Sequence, residues 1–401
     1  MYENKKILIL GAAKSGLAAA SLLANKNNDI TLSDINPLKK EDEMMLNELG
    51  IKIIITPNQV DLIDSSYDLV IKNPAIMSTS DIVKKLENLG IRTENEMEVA
   101  YHYLPQDITI IGITGSNGKT TTTTIIYELL KRHGKNTVLG GNIGTPLSTL
   151  VTKIKPQDIL LLEISDHQLC DLHDFKTDIS ILTNICPTHL DYHGTYEHYM
   201  DTKKKIFNHH TKNEIAIINK ANADSLKITE DILSTKIYFN DNKNYIDDKY
   251  IYLNGEKYLN IADINIKGIH NYENILAALL VLQNFDLDKE IVTTFLKQFN
   301  GVEHRLEFVL EKDKVKYYND SKSTNPTSTI TALKTFKNSI HLILGGLERY
   351  QDFNELNDYL KYVKHIYAIG EVTKRVAEYA KNVQIPCTEC VTLSKALAEI
   401  K

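Results

Sequence analysis

The stretch Ile111 to Thr124, reading IGITGSNGKTTTTT, constrains the fold of this chain more than any other. It follows an apolar run, Ile108 to Ile113, that predicts a buried strand, and it precedes Thr121 to Arg132, which predicts a helix. A strand, a glycine-containing turn and a helix in this order are typical of a phosphate-binding loop, because backbone N–H groups and the positive helix end face the phosphates.

Individual residues of the turn fit that interpretation. Gly115 and Gly118 allow a tight backbone, Lys119 supplies a cation for the outer phosphates, and Thr120 carries a hydroxyl that can ligate magnesium. The pattern departs from the standard one, because Ile113 stands where the first glycine is usual. The alternative is a plain strand-to-helix turn that happens to contain Gly-Lys-Thr.

Two later strands end in residues that can bind a cation. Asp158 to Ile164 is almost continuously apolar, which predicts a strand buried on both faces of a parallel sheet, and Glu163 lies at its carboxyl end. A carboxylate there, beside a phosphate loop, can hold Mg²⁺; the alternative is a glutamate facing solvent. The next predicted strand, Asp178 to Ile185, brings His189 to the same edge. A lone histidine is also compatible with an ordinary hydrogen-bonded role.

A zinc pair is a poor interpretation of His189 and His193. They lack the intervening glutamate of a metalloprotease helix, and Pro187 with Gly194 argues against a sustained helix. The following predicted helix carries a run of three lysines from Lys203, which considered alone predicts a solvated face.

The amino-terminal segment predicts a dinucleotide-type unit of strand, turn, helix and strand. The turn is Gly11 to Gly16, the helix spans Leu17 to Ala24, and the second strand ends at Asp34. Ala13 replaces the second glycine of the usual motif, so a looser diphosphate or uridine contact is favoured over standard NAD binding. Asp34 lies where such folds meet a ribose or base; an ordinary loop acid is the alternative.

Composition narrows the class of protein. The chain has 401 residues, 42% hydrophobic, with a formal net charge of -6. That charge argues against nucleic-acid binding and favours a small-molecule substrate. No segment reaches the ~18 uninterrupted apolar residues of a membrane span, and the short run after Lys5 and Lys6 does not fit a signal peptide. Four cysteines are too few for a disulfide framework, so we expect the cytoplasm, and the lone CxxC of Cys387 and Cys390 is weak support for a redox or zinc site.

Several motifs together resemble a known family. GITGSNGKT, LLEIS and TNICPTHLDYHGTYEHYMDTK, in this order, resemble the central domain of the ATP-dependent Mur ligases. GGNIGTP, KGIHNYENILAA, HRLEFV and YYNDSKSTNPTST are similar to the branch that adds D-glutamate. NDSKSTNP discriminates best, because branches that add alanine or diaminopimelate carry a different, Asp-Tyr-Ala-His type sequence there. The resemblance covers essentially the whole chain.

The resemblance implies an α/β fold of three domains. They are a Rossmann-like UDP-substrate domain over 1–103, a central P-loop-type ATPase domain with a parallel sheet over 104–301, and a Rossmann-like carboxyl-terminal domain over 302–401. The family continues after GGLERYQDF through a further strand with a Ser-Pro-Ala motif, whereas this sequence stops at Lys401. We therefore expect the third domain to be truncated.

The resemblance also implies a reaction in peptidoglycan precursor synthesis. ATP phosphorylates the carboxylate of UDP-N-acetylmuramoyl-L-alanine, and the amine of D-glutamate attacks the acyl phosphate. Lys119, His189 and Lys203 are then catalytic, and Thr120, Glu163, His189 and Lys203 hold two Mg²⁺ ions, with a carbamate possible on Lys203. A cytoplasmic monomer is expected, with small-molecule substrates and neither nucleic acid nor membrane as a partner.

The other implied roles are binding contacts, for which an ordinary polar surface residue is the alternative in each case. The ATP contacts are Gly115, Ser116, Asn117, Gly118, Lys119, Thr120, Thr121, Asn271, Asn274, Arg305 and Asp320. The uridine diphosphate contacts are Lys14, Ser15, Asp34 and Asn36, and those to the sugar-peptide part are Asn73 and Asn142. The contacts at the D-glutamate and phosphate end are Lys322, Ser323 and Thr324.

Two departures from the family pattern concern local substrate contacts, not the ATP site. Asp166 and His167 stand where the family usually has serine and an aromatic residue, and Asn73-Pro74-Ala75 replaces Ser-Pro-Gly. Two alternatives to the D-glutamate ligase stay open: a truncated relative that binds nucleotide and UDP substrate without turnover, and a sibling ligase with another amino acid.

Overall fold

The computed structural model describes residues 2–348 and 351–400, which form two compact units. The first unit contains the described residues up to Ile264 together with Asn271–Gln298. The second contains Asn265–His270 and the described residues from Phe299 onward. The predicted three domains, with boundaries at 103/104 and 301/302, stay a prediction.

A parallel sheet of strand order β3-β2-β1-β4-β5 opens the first unit. Its central strand is apolar on both faces, and Ile7 to Leu10 are fully buried, which is the pattern of a parallel strand covered by helices. The elements are β1 (Lys6–Leu10), α1 (Lys14–Leu23), β2 (Asp29–Asp34), α2 (Lys40–Glu48), β3 (Lys52–Ile55), β4 (Leu69–Lys72), α3 (Asp81–Leu89), β5 (Thr93–Glu94) and α4 (Glu96–Tyr101).

The helix α1 begins at Lys14, earlier than the predicted Leu17. A Cβ atom on Gly16 would lie 1.9 Å from the carbonyl oxygen of Gly11. The glycine therefore lets the first helical turn lie against the preceding loop, and the predicted turn is partly helix.

A second parallel sheet follows, with strand order β11-β10-β9-β6-β8-β7. Its core includes Leu160, Leu162 and Leu182, all fully buried. The elements are β6 (Thr109–Thr114), α5 (Lys119–Arg132), β7 (Thr137–Gly141), α6 (Leu147–Leu150), β8 (Ile159–Glu163), α7 (Asp166–Leu169), β9 (Ile179–Leu182), α8 (Leu190–His193), α9 (Tyr196–Lys204), β10 (Ile215–Asn219), α10 (Ala223–Ile228) and β11 (Thr235–Phe239).

The strand order brings three strand ends together. Strand β6 lies between β8 and β9, so the residues that follow these strands meet at one edge of the sheet. Helix α5 begins at Lys119 rather than at the predicted Thr121, because Gly118 takes the position before the first helical residue. Strand β9 ends at Leu182, before the predicted Ile185, which leaves a longer loop ahead of His189.

An antiparallel sheet of order β12-β13-β14 and two helices come next in the chain. These elements are β12 (Tyr245–Ile246), β13 (Tyr250–Leu253), β14 (Glu256–Asn260), α11 (Ile269–Leu282) and α12 (Lys289–Gln298).

The second unit combines an antiparallel hairpin with a parallel sheet of order β17-β18-β19. Leu356, Ile366 and Val376 lie in its core. The elements are β15 (Glu307–Lys312), β16 (Val315–Asn319), α13 (Pro326–Thr335), β17 (Ile340–Gly346), β18 (Val363–Gly370), α14 (Thr373–Asn382), β19 (Cys387–Val391) and α15 (Leu393–Glu399). The α/β class with parallel sheets agrees with the sequence prediction.

A buried carboxylate joins α4 to a loop of the second sheet. Glu98 is fully buried and accepts hydrogen bonds from the backbone N–H groups of His173 at 3.1 Å, Asp174 at 2.7 Å and Phe175 at 3.2 Å. Next to it, Glu96 accepts a hydrogen bond from the backbone of Ser148. These acids satisfy loop donors that would otherwise be buried without a partner.

No helix among the described residues combines the length and apolar character needed to cross a bilayer.

Candidate functional site

The loop between β6 and α5 has the backbone geometry of a phosphate site. Gly115 and Gly118 adopt φ values of 145° and 86°. A Cβ atom at Gly115 would lie 1.9 Å from the hydroxyl oxygen of Thr183, and one at Gly118 would lie 2.2 Å from Oδ1 of Asn274. The side chain of Lys119 folds over the loop and donates from Nζ to the carbonyl oxygens of Gly115 at 2.7 Å and Ser116 at 3.1 Å. The loop is therefore wrapped around a lysine head group.

The segment after β9 holds this loop in place. The Asn184 side chain accepts from the Asn117 backbone N–H and donates to the Asn117 carbonyl, both at 3.0 Å. Thr183 donates to the same carbonyl at 2.6 Å, and the Asn184 carbonyl accepts from Ser116 N–H at 2.9 Å. These two residues were not among the predicted site residues. They are the first two residues of the quoted TNICPTHLDYHGTYEHYMDTK segment, which is the signal that could have identified them.

The predicted adenine contacts lie on the helix beside this loop. Asn274 is buried, and its amide oxygen lies against Gly118. Asn271 lies one helical turn earlier on α11. Thr120 and Thr121 belong to the first turn of α5, where Thr121 is buried. Their roles in binding ATP remain predictions.

Glu163 ends β8 with its side chain almost fully buried, at 1% exposure. Its Oε1 accepts a hydrogen bond of 2.8 Å from the amide of Asn142, whose backbone N–H also donates to the Glu163 carbonyl at 2.7 Å. Its Oε2 is buried and has no hydrogen-bond partner among residues 2–348 and 351–400. Asn142, predicted to contact the sugar-peptide part, thus lies against the predicted metal ligand.

A second buried carboxylate lies at the same edge. Asp166 begins α7 and is 2% exposed. Its Oδ2 lies 2.9 Å from Nδ1 of His189, 2.9 Å from Nε2 of His193 and 3.3 Å from Nδ1 of His167. Its Oδ1 accepts a hydrogen bond from Nζ of Lys203 at 3.3 Å. Burial acts to raise the pKa of Asp166, but Lys203 and the bonds from His189 and His193 outweigh it and hold that pKa well below its ordinary value.

Lys203 is fully buried, so it does not lie on the solvated face that its lysine run alone predicts. Besides Asp166, its Nζ donates to the Thr114 hydroxyl at 3.1 Å and the Gly115 carbonyl at 3.2 Å. Burial lowers the pKa of Lys203, and the Asp166 carboxylate acts in the opposite direction. The neighbours in the run behave differently, because Lys204 pairs with Asp231.

The histidines of this edge reach it from different elements. His189 has a left-handed φ of 52° and a side chain that is 43% exposed, whereas His193 is buried in the short α8. Burial lowers the pKa of His167 to about 4, so it is neutral near pH 7. Asp166, His167 and His193 were not among the predicted site residues, although the departure from the family pattern at 166 and 167 was visible in the sequence.

The predicted UDP end lies at the carboxyl edge of the first sheet. Asp34 accepts hydrogen bonds from the backbone N–H groups of Ala12 at 2.6 Å and Asn36 at 2.9 Å, so its carboxylate orders the glycine-rich turn. Lys14 is exposed and Ser15 is half-buried in the first turn of α1. Asn73 accepts from the Ala75 backbone at 2.9 Å. These residues share one sheet edge, and their substrate contacts remain predictions.

Lys72, which precedes Asn73, is buried, and no sequence pattern singled it out. Its Nζ lies 3.0 Å from the Asp171 carboxylate and donates to the Ile76 carbonyl at 3.0 Å. It also lies 3.4 Å from the hydroxyl of Tyr192. Through these contacts, Lys72 attaches the loop that contains Asn73 to residues of the second sheet.

The remaining predicted residues lie in the second unit. Asp320 accepts from the backbone N–H of Leu306 at 3.0 Å, and its carbonyl accepts from Ser323 N–H at 2.8 Å. Burial raises the pKa of Asp320 above its ordinary value. The Nε of Arg305 is buried without a hydrogen-bond partner in the described residues. Lys322 and Thr324 are exposed, so their side chains are accessible to a ligand.

Comparison with known proteins identifies related sequences over nearly all of the chain. Residues 113–282 match the family model described as the Mur ligase middle domain, and residues 304–401 match the Mur ligase, glutamate ligase domain. A UDP-N-acetylmuramoylalanine--D-glutamate ligase from Geobacillus sp. (strain WCH70) is 40% identical over 97% of this chain and 88% of its own length. The protein of that name from Macrococcus caseolyticus (strain JCSC5402) is 35% identical over 99% of this chain and 89% of its own.

Solved structures agree on the fold. The crystal structure of a UDP-N-acetylmuramate-alanine ligase from Thermotoga maritima has a TM-score of 0.62 at 20% identity, covering 99% of this chain and 93% of its own. A UDP-N-acetylmuramoylalanyl-D-glutamyl-2,6-diaminopimelate--D-alanyl-D-alanyl ligase from Acinetobacter baumannii has a TM-score of 0.58 at 16% identity, covering 94% and 78%. The predicted family and fold class are confirmed. The chain belongs to the Mur ligase family.

Proposed function

We propose that this chain is an ATP-dependent ligase that joins D-glutamate to UDP-N-acetylmuramoyl-L-alanine in peptidoglycan precursor synthesis. The choice of substrates is supported by the names of relatives that are 35–40% identical over almost the whole chain. The observation that carries the chemistry is the buried Oε2 of Glu163, which has no hydrogen-bond partner in the described part of the chain and lies at the sheet edge that holds the phosphate loop.

The reaction requires charge stabilisation more than covalent chemistry from the protein. ATP transfers its terminal phosphoryl group to the substrate carboxylate, and the D-glutamate amine attacks the resulting acyl phosphate and expels phosphate. Negative charge develops first on phosphoryl oxygens and then on the carbonyl oxygen. Lys119, already held at the loop carbonyls of Gly115 and Ser116, is placed to turn its ammonium group to the β- and γ-phosphates.

The residues at this edge fit a bound Mg²⁺. A buried carboxylate oxygen without a hydrogen-bond donor is costly unless a cation balances it, and Glu163 presents such an atom. Thr120 in the first turn of α5 would be its partner ligand. When bound, Mg²⁺ neutralises phosphate charge. His189 and Lys203, which both contact Asp166, are proposed to serve a second cation.

A carbamate on Lys203 belongs to the proposal as one of two states. It forms when the neutral amine adds CO₂ and releases a proton, and the lowered pKa of Lys203 favours that neutral form. The modification would place a new anion beside Asp166, so it requires a cation between the two. In the other state Lys203 stays an ammonium ion paired with Asp166.

Further residues complete the proposed binding sites. Lys14, Ser15, Asp34 and Asn36 are proposed to meet the uridine diphosphate, and Asn73 and Asn142 the sugar-peptide part. Asn271, Asn274, Arg305 and Asp320 are proposed for the nucleotide, and Lys322, Ser323 and Thr324 for the D-glutamate end. The proposal places the enzyme in the cytoplasm as a monomer that acts on small-molecule substrates.

The test is phosphate release from ATP. With UDP-N-acetylmuramoyl-L-alanine and D-glutamate both present, we expect steady release, and we expect very little when either is omitted. Release with a different amino acid in a panel, but not with D-glutamate, would assign the chain to a sibling reaction. Binding of ATP without release under any combination would reject the ligase.

The carbamate has its own test. Replacing Lys203 by alanine should remove activity, and small carboxylic acids added to that variant should restore part of it if the carbamate supplies the working anion. No rescue, together with activity in Lys203→Arg, would favour the ammonium state, since an arginine keeps the cation and is not carbamylated.

A further inference from the structure

Asp166 is a fixed carboxylate at the centre of the candidate site. Ser165 and Gln168 form a capping box at the start of α7, which holds the turn that carries it. Lys203 binds its Oδ1 from one side, and the buried His193 binds its Oδ2 from the interior. The carboxylate therefore keeps one orientation, with Oδ2 directed to His167 and His189.

The donor atoms of Asp166, His167 and His189 are spaced as ligands of one ion. One oxygen or nitrogen from each lies within 4.8 Å of the other two. Ligands that lie about 2.1 Å from a common ion stand about 3.0–3.5 Å apart, so small side-chain rotations are enough to converge them. His189 is 43% exposed, which leaves an entry path from solvent.

The kind of donor indicates the kind of metal. Mg²⁺ prefers oxygen ligands and retains water, whereas imidazole suits first-row transition metals. Two imidazoles and one carboxylate are a set that such ions accept with open positions for substrate oxygens. The hydrogen bonds from His193 and Lys203 to the ligating carboxylate are the outer contacts that usually orient such a group.

We propose that Asp166, His167 and His189 bind a divalent transition-metal ion such as Mn²⁺, with Asp166 supplying the anionic ligand. The role of this site in holding the second cation of the ligation reaction rests on the proposed function, whereas its ability to bind a metal ion does not. The serine and aromatic residue that the family usually has at these positions offer no such pair of donors, which is why Asp166 and His167 are the residues to test.

Direct titration with Mn²⁺ alone tests the site. The full chain, without nucleotide, is titrated while the electron paramagnetic resonance signal reports free Mn²⁺, and spin-echo modulation reports nitrogen ligands. We expect one Mn²⁺ with imidazole nitrogen coordination, displaced by Mg²⁺ only at about tenfold excess or more.

Single substitutions show which of these residues bind the metal ion. His167→Phe removes one ligand and keeps an aromatic ring against Tyr192, whose ring centroid lies 4.0 Å from that of His167. We expect its Kd for Mn²⁺ to rise at least about tenfold, and Asp166→Asn to lose binding. Asp191→Asn, at an exposed carboxylate of α8, is the matched control and should stay within about twofold. Because Asp166→Asn can fail to fold, the Kd for Mn²⁺ of His167→Phe is the deciding measurement for the metal site.

Two outcomes overturn the metal site: His167→Phe binds Mn²⁺ as tightly as the native chain, or the bound Mn²⁺ shows no nitrogen coupling. Phosphate release measured in parallel keeps the two proposals apart. Release that needs both substrates, with Mn²⁺ binding insensitive to His167, leaves the ligase and removes the site. Mn²⁺ binding that depends on His167, without release, leaves the site and removes the ligase.

Discussion

We expect the substitution Asp166→Asn to cause a large loss of stability, part of which a second substitution at Lys203 restores. Asp166→Asn keeps the shape of the side chain and removes its charge. Lys203 then stays fully buried, and its hydrogen-bond partners among the described residues, which include the Thr114 hydroxyl and the Gly115 carbonyl, are all neutral. Breaking a buried pair in this way costs about 3–5 kcal/mol. The free energy needed to deprotonate the buried lysine sets an upper limit of similar size, because removing the proton from a lysine of ordinary pKa at pH 7 costs about 5 kcal/mol.

The second charge can be removed to test the cause. Adding Lys203→Met to Asp166→Asn should recover about 2 kcal/mol or more, since no unpaired charge is left. The chain has no tryptophan, so urea unfolding is followed by far-ultraviolet circular dichroism, with a chelator present to exclude metal effects. The exposed Asp191→Asn control should stay within about 0.5 kcal/mol of the native chain. A double variant no more stable than Asp166→Asn alone would refute the buried-pair explanation.

Three further predictions concern the loop and the protein interior. Lys119→Ala should abolish phosphate release while the Kd for UDP-N-acetylmuramoyl-L-alanine, measured by calorimetry, changes less than about twofold; joint loss would contradict separate binding roles. Gly118→Ala forces a Cβ atom to 2.2 Å from Asn274 and should raise the Kd for ATP at least about tenfold. Gly134→Ala is its control, with a similar positive φ of 68° and open space, and an equal effect there would exclude the clash. Burial lowers the pKa of His210 in the folded chain to about 4, whereas the pKa of a histidine in the unfolded chain is about 6.5. As the pH falls from about 6.5 to about 4, His210 therefore binds a proton in the unfolded chain but not in the folded chain, and the stability decreases. Between pH 7 and pH 5 the native chain should lose about 2 kcal/mol more than His210→Gln in urea unfolding, and parallel curves would reject this.

The sequence predicted the parts of the site that depend on neighbouring residues. The phosphate loop was found because strand, turn and helix follow one another, and Glu163 because it ends a continuous apolar strand. The lysine run shows the limit of such patterns. Only its first member is fully buried, and only the family resemblance singled out Lys203.

The parts that were missed depend on elements that are distant in sequence. Asp166 and His193 are 27 residues apart and meet because β8 and β9 end at the same edge of the sheet on either side of β6. Sequence spacing alone argued against a joint role for His189 and His193, since no sustained helix connects them. In the structure both histidines contact Asp166, because His189 has a left-handed backbone and His193 lies in the short helix α8 that follows it. Such a geometry leaves no periodic pattern in the sequence.

The three backbone hydrogen bonds accepted by Glu98 have a consequence for how the first unit unfolds. They tie the last helix of the first sheet to the loop at residues 173–175, so opening that loop removes three hydrogen bonds from a fully buried carboxylate. We therefore expect local opening of one sheet to be coupled to opening of the other, so that the two exchange their amide hydrogens as one cooperative unit. By linkage, we expect a ligand bound at the edge near Asp34 to slow amide exchange around the phosphate loop as well.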